Sequence, residues 1–417
     1  MRYDVVVVGA GTTGATAAQL CAREFSVAVL EAAPREFSRI SSGVFPNHNF
    51  VNFPPIPREV FERDHLRMKQ VGFWRSAVVS GQEFGLTLGK TVRWRRLKDH
   101  LVSAAEERGA RFFFSAKVQR VEVRADEVRA IVHAGGCGGD GGVPEVVRGD
   151  VVLLATGVAN CSLPSSLGFS TPPVVRGIQR EFQAEDSVVD ELGAEYCFHL
   201  DPRISRVGPC WVTAFSGGGN VGYIDQVVDP AKLERVLEKY APLEPLRMGG
   251  VHLGPPNVRP IASSPLRRFS TDRVLLLGEC AGLVNPFYYE GVWEGRVSAR
   301  LACQTLLELR NRGLEPTREG LRHFDEAVDQ VLVKKFIKSG QGSAALFYHS
   351  SEAKLLFDHY LRLVEGQRDV REKIVEAYNV DAHQFNLGND RSIGERIFAN
   401  IPLVKKIKLL PAFLRAA

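Results

Sequence analysis

The sequence contains no C-x-x-C pair and no H-E-x-x-H segment, although it carries seven cysteines, at 21, 137, 161, 197, 210, 280 and 303, and ten histidines. A disulfide framework and a four-cysteine zinc or iron–sulfur site both depend on regular cysteine spacing. Both are therefore set aside, no metal site is expected, and the thiols read as buried apolar side chains. The chain also lacks any stretch of roughly 18 apolar residues, the least that crosses a bilayer as a helix. It opens directly on a strand with Asp4 inside it, which is not the pattern of a secretory leader. A marked charge of one sign is missing too. Against 48 Asp and Glu there are 53 Lys and Arg, so the net charge is only +5, too little for a nucleic-acid footprint built on net charge. The expectation is a cytoplasmic protein, soluble or held peripherally on the inner membrane face, with no nucleic-acid partner.

What is present is an ordinary globular composition over 417 residues, 45% hydrophobic and 24% charged, long enough for two or three packed units. The first thirty residues are the most informative. Tyr3–Val8 ends in four consecutive valines, as a parallel strand buried on both faces requires. Gly9-Ala10-Gly11-Thr12-Thr13-Gly14 follows, then an Ala-rich helical stretch, then a second apolar strand at Val27–Leu30 closed by Glu31. This is the strand, G-x-G-x-x-G, helix, strand, acid order of a dinucleotide-binding unit. Gly9 permits the tight turn, Gly11 the approach of backbone to a pyrophosphate, and Gly14 the close seating of helix on strand. The helix N-terminus offers amide donors to phosphate, and Glu31 can accept from a ribose diol.

Ala32–Val60 is proline-rich and reads mostly as loop, and Leu97–Glu107 as an amphipathic helix. Strands are expected at Arg111–Ser115, Lys117–Val123, Val128–His133, Glu145–Arg148 and Asp150–Leu154. The glycine-dense Gly135–Gly142 reads as a hairpin connection. Residues 176–267 alternate strand-like pieces with turns, and only Pro230–Tyr240 is helical, so an inserted antiparallel sheet is expected. Asp272–Leu277 is a third buried strand, and a long helix follows over about Gly291–Arg310. Beyond Glu315 the pattern is helical.

Three apolar strands that each end in glycine suggest one cofactor gripped in three places. Gly9–Gly14 with Glu31, V-V-L-L-A-T-G at 151–157 and L-L-L-G-E-C-A-G-L-V-N-P-F-Y-Y-E-G-V at 275–292 carry a resemblance that can be named. The chain resembles the geranylgeranyl reductase family of FAD-dependent oxidoreductases, in the glutathione-reductase superfamily, which shares its fold with the aromatic hydroxylases. The resemblance implies an α/β fold: a Rossmann-like FAD-binding domain with an inserted antiparallel-sheet substrate domain and a helical C-terminal region. Its boundaries are drawn at 1–75, 96–175 and 268–310 for the FAD-binding domain, 76–95 and 176–267 for the substrate domain, and 311–417 for the helical region. It implies FAD as cofactor, held by Gly9, Gly11, Thr12, Thr13, Gly14, Glu31, Ala32, Arg39, Val118, Ala155, Thr156, Gly157, Gly278, Glu279, Gly282, Pro286, Gly291 and Val292.

The chain departs from the family at four places. Glu279 stands where Asp is usual, and Ser42 where the archaeal reductases carry a cysteine. Trp211-x-Thr213-x-Phe215-Ser216 replaces Y-x-W-x-F-P, and Tyr289-Glu290-Gly291 replaces G-E-G. Ser42, Trp211 and Phe215 are expected to line the substrate side, and Tyr288, Tyr289 and Glu290 are the candidate proton donors near the flavin. His252 reads as structural.

Three functions stay open. The first is reduction of C=C bonds in a prenyl lipid or related apolar substrate, fed by an external donor, NAD(P)H or ferredoxin. The second is monooxygenation of a hydrophobic or aromatic substrate. The third is a non-catalytic or electron-carrying flavoprotein. The segment Ile401–Leu414 interleaves Leu403, Val404, Ile407, Leu410 and Leu414 with Lys405, Lys406 and Lys408. It reads equally as a docked terminal helix or as a peripheral membrane contact.

Overall fold

The computed structural model describes residues 1–37, 43–133, 143–192, 194–247, 250–380 and 391–416. Gly135–Gly142 therefore lies outside the described residues. An eight-stranded sheet organises the first half of the fold. Arg2–Val8 lies at its centre and pairs in parallel with Val146–Leu154 on one side and Val27–Leu30 on the other. Val274–Leu276 continues the sheet beyond Val146–Leu154, and Arg111–Phe113 beyond Val27–Leu30, again in parallel. The valine run explains the central place of the first strand: Val5, Val6, Val7 and Val8 are all buried, as a strand covered on both faces must be. Each fully buried side chain of this size contributes about 1.5–3 kcal/mol.

Register brings the three motifs together. Val8 is level with Leu30 and with Leu154, and Leu154 with Leu276. The glycine-bearing turns after these strands therefore emerge side by side, at the carboxyl edge where doubly wound sheets bind ligands. The helices Thr12–Cys21 and Val292–Asn311 cover this sheet and pack on each other. The buried thiols of Cys21 and Cys303 lie side by side between them. The two strands expected at 145–148 and 150–154 are one continuous strand. Gly149 sits in its middle because a side chain there would lie 2.7 Å from the Val6 methyl.

A second eight-stranded sheet holds Val174–Gln183, Gly218–Asp225, Cys210–Phe215 and Tyr196–His199 in antiparallel order, with Asn257–Ala262 and His252–Leu253 on the outer strand. It is not built from 176–267 alone. Arg67–Val71 joins Tyr196–His199 in parallel and is followed by Ser76–Ser80. Ser76–Ser80 opens the 76–95 piece expected beside 176–267, whereas Arg67–Val71 comes from the stretch drawn with the FAD-binding domain. Gly89–Thr91, within the expected 76–95 piece, instead pairs with Val44–Pro46 and Arg63–His65 in a small third sheet. From Arg318 on, the elements among the described residues are helices, with a π-helical stretch at Asp329–Ile337. An apolar cluster joins these terminal helices to the second sheet, running from Ile401 and Leu409 through Phe357 and Tyr348 to Phe287 and Tyr196. The fold is thus α/β, with a Rossmann-like unit, a second mainly antiparallel sheet and a helical C-terminal region. Among the described residues no helix is long and apolar enough to cross a membrane.

Candidate functional site

One cavity of about 670 Å³ runs from the carboxyl edge of the parallel sheet to the face of the second sheet. Its first wall is mostly backbone. Gly9 has φ +104°, and a Cβ there would stand 2.5 Å from the Ala155 carbonyl oxygen, so the first and second motifs touch through main chain alone. A Cβ on Gly14 would fall 1.9 Å from the Gly9 oxygen. The third motif is locked to the first by Thr13, whose hydroxyl would stand 2.1 Å from a Cβ on Gly295 and 2.8 Å from one on Gly278.

Glu31 lies on this wall and is held firmly. Its carboxylate accepts from the Ala10 amide at 2.6 Å and from the Ala33 amide at 2.9 Å, one bond to each oxygen. A carboxylate oxygen can accept twice, so both keep capacity for a diol. Two helices begin on the same wall. Gly11 and Gly291 are their N-caps, and neither helix start carries a side-chain cap. A Cβ on Gly11 would meet nothing within 4 Å, so this helix start opens directly onto the cavity. Each presents amide donors and the positive end of a helix dipole.

These features suit a dinucleotide with an isoalloxazine ring. A glycine-bare helix start matches a pyrophosphate, and a fixed carboxylate matches a ribose diol. The second helix start matches the end of a flavin that becomes negative on reduction. Ala32, Val118, Thr156, Gly157 and Glu279 also line the cavity. Glu279 accepts from the Ala262 amide at 3.3 Å, which turns its carboxylate toward the junction of the two walls.

The second wall is built from side chains. Trp211 lies over Gly222, its cross-strand partner, where a Cβ would come within 2.7 Å of the indole. Its Nε1 donates to Asn220 Oδ1 at 2.8 Å, which fixes the ring orientation. Tyr288 and Tyr289 come from the turn after Asn285. The Tyr288 ring sits 5.1 Å from Phe198 and 4.7 Å from Phe287. Tyr289 holds a left-handed backbone, φ +57°, and its amide donates to the Asn285 carbonyl at 2.7 Å. Positive φ is costly for a side chain of this bulk, so the turn is held by its surroundings.

Burial raises the phenols of Tyr196, Tyr288 and Tyr289 above the ordinary tyrosine value, and they stay protonated near neutrality. Burial also lifts Glu290, which lines the cavity, to about 7. A carboxyl poised there can both give and recover a proton at neutral pH. Glu294, one turn into the helix, is buried and raised as well, first by desolvation and further by the charge of Glu290.

Not every expected residue reaches the cavity. Gly14, Gly278, Gly282 and Pro286 are buried behind the wall and shape it: a Cβ on Gly282 would strike the Ser264 oxygen at 2.2 Å. Phe215 is a correction. It packs on Gly43, with 3.4 Å between the ring and a Cβ built there, and does not line the cavity. Trp211 and Phe215 lie four apart on one strand and share a face, but the strand leaves the cavity before reaching Phe215. Arg39 and Ser42 lie outside the described residues. Local pattern did not single out Tyr196, Gln179, Lys98 or Arg259, all of which line the cavity. Gln179 and Gly177 alternate on one strand, so strand period was the one signal that could have found Gln179.

A model of the NAD(P)-binding Rossmann-like domain matches residues 7–57. The digeranylgeranylglycerophospholipid reductase of Haloferax volcanii is 24% identical, with 91% of this chain and 92% of that protein covered. The geranylgeranyl diphosphate reductase of Synechocystis is 23% identical over 87% of this chain and 92% of its own. Among solved structures, a geranylgeranyl bacteriochlorophyll reductase-like protein of Thermoplasma acidophilum superposes with a TM-score of 0.73 at 17% identity, covering 99% of both chains.

Proposed function

We propose that this chain, a member of the geranylgeranyl reductase family of FAD-dependent oxidoreductases, saturates C=C bonds in the prenyl chain of a lipid or a related apolar molecule. The observation that carries the reading is the single cavity with two unlike walls. One wall is backbone and glycine, suited to FAD; the other is aromatic, suited to an apolar chain, and carries a carboxyl poised near neutrality. The sequence likeness to the Haloferax and Synechocystis reductases, over 91% and 87% of this chain, supports the reading.

When bound, FAD supplies hydride transfer. Gly9, Gly11, Thr12 and Thr13 would hold its pyrophosphate, Glu31 and Ala32 its adenosine ribose, and Val118 its adenine. Glu279 would hold the ribityl hydroxyls, and the amides of Gly291 and Val292 the pyrimidine edge. Ala155–Gly157 close the cavity from the second strand. Trp211 orients the apolar chain and, with Tyr196 and Tyr288, excludes water. Saturating a C=C bond needs a proton as well as a hydride. Glu290 is the best-matched donor, because the neighbouring phenols are much weaker acids. The electron donor, NAD(P)H or ferredoxin, is external. Within the Ile401–Leu414 segment, whose side chains beyond Leu409 lie outside the described residues, Ile401 and Leu409 pack on the body, and the exposed face of Leu403, Val404 and Ile407 rests on an anionic membrane surface from which a lipid substrate is drawn.

The test uses the purified flavoprotein reduced with dithionite without oxygen. Addition of a geranylgeranylated lipid should reoxidise the flavin and leave a lipid heavier by two hydrogens per bond. A product that forms only with oxygen would replace this reading with monooxygenation. A flavin that neither substrate reoxidises would leave an electron carrier.

A further inference from the structure

Away from the cavity, and apart from Val227 and Met1, the most exposed large apolar side chains stand on two elements. Leu403, Val404 and Ile407 are 74%, 69% and 64% exposed near the start of the Leu403–Ala416 helix, and Trp74 is 59% exposed between Arg67–Val71 and Ser76–Ser80. Residues 403, 404 and 407 share one helix face. The two elements are far apart in sequence, but a short stretch of one helix start ties them together. Lys405 pairs with Glu352 at 2.6 Å, and Lys354, two residues on, sits 3.9 Å above the Phe73 ring. Arg203 also lies over the Phe73 ring, at 4.2 Å, and the ring packs edge-on against Trp74 at 4.9 Å. Two cations thus hold the phenyl ring that supports an outward-facing indole.

From this placement we infer that Trp74 and the Leu403–Ile407 face form one docking surface for an anionic lipid bilayer. The inference rests on the peripheral contact proposed above and adds a second, independent element to it. Charge selects the partner. Lys354, Lys406 and Lys408 border the apolar groups and make no ion pair among the described residues. Apolar groups that enter the acyl boundary, with lysines at headgroup level and an indole at the interface, are the features of a surface-bound element. Behind this face, the apolar cluster beneath the terminal helices continues to Phe287 and Tyr196, and Tyr196 is on the cavity wall.

The test uses the full-length holoprotein and vesicles of phosphatidylcholine with phosphatidylglycerol, against phosphatidylcholine alone. The protein should float with the anionic vesicles, and binding should weaken by about tenfold without phosphatidylglycerol or in high salt. Trp74→Ser and the pair Leu403→Ser with Ile407→Ser should each weaken it by about tenfold or more, with flavin absorbance and melting temperature unchanged. Tryptophan emission should shift to the blue on binding, and Trp74→Phe should abolish the shift. If Trp74→Ser binds like the wild type, the two-element surface is overturned while the terminal contact survives. If the wild type ignores both vesicles, both fall, whereas turnover of a detergent-dispersed prenyl lipid still reports separately on the reductase. Dimerisation lost in the same variants, without vesicle binding, would overturn it in favour of a second copy of this chain.

Discussion

The two walls of the cavity are built by opposite means. On the parallel-sheet side the close approaches are mostly to main chain: Gly9 against Ala155, Gly14 against Gly9, and the Thr13 hydroxyl in the notch left by Gly278 and Gly295. On the other side the wall is made by side chains, Trp211 above Gly222 and Tyr288 between Phe198 and Phe287. A backbone wall admits one residue at each close approach, so substitution there should be all or nothing. A side-chain wall tolerates change and should answer in substrate preference.

Three substitutions bear on this contrast. Gly14→Ala drives a methyl into the Gly9 oxygen at 1.9 Å and should cost about 3 kcal/mol or the fold itself. Loss of bound flavin and a lowered unfolding midpoint would record it, and a variant that keeps both would show that the wall yields. Glu290→Gln comes next and should slow turnover by about a hundredfold. Wild-type turnover should decline as pH rises through about 7, where the acid form is lost, and the variant should lack that limb.

Stability of the flavin-free protein gives a second reading of the same group. The folded carboxyl titrates near 7, above the roughly 4.3 of an unfolded chain, so the folded state binds the extra proton between them. Stability therefore falls as pH rises through that window, by at most about 4 kcal/mol, and Glu290→Gln should flatten the slope seen in urea titrations. The smallest effect belongs to Trp211→Phe, which keeps an aromatic ring and loses only the bond to Asn220. About 1 kcal/mol is expected, read as a several-fold rise in KM for the prenyl substrate with the flavin spectrum unchanged. If flavin binding changed instead, the two walls would not be separable.

The same contrast decides how much could be read in advance. The glycines at 9 and 14 were legible because close backbone approach leaves no alternative residue, and Gly11 and the acid at 31 because the interval between them is one strand–helix–strand unit. The motifs at 151–157 and 275–292 were legible for the same reason. Gly14, Gly278 and Gly282 nevertheless turn out to stand behind the cavity wall, because a glycine demanded by helix packing looks the same as one demanded by a ligand. Phe215 was expected on the substrate side and lies against Gly43, since strand alternation fixes the face of a residue but not how far a cavity extends along it. Tyr196 and Lys98 carry no local mark: an aromatic in an apolar strand and a lysine on an amphipathic helix are ordinary in any fold.

Local chemistry thus settles the buried parallel strands, their glycine turns, the dinucleotide-type wall and the helical character of the last hundred residues. Each follows from backbone sterics and hydrophobic period acting over fewer than about thirty residues. It does not settle that Arg67–Val71 completes the second sheet beside Tyr196–His199, that the neighbours of Trp74 and of Leu403 are tied to one helix start, or that Glu290 sits where burial lifts its carboxyl to about 7. Pairing across more than a hundred residues and the desolvation of a single carboxyl depend on what the rest of the chain places around them, and both come into being when the fold closes.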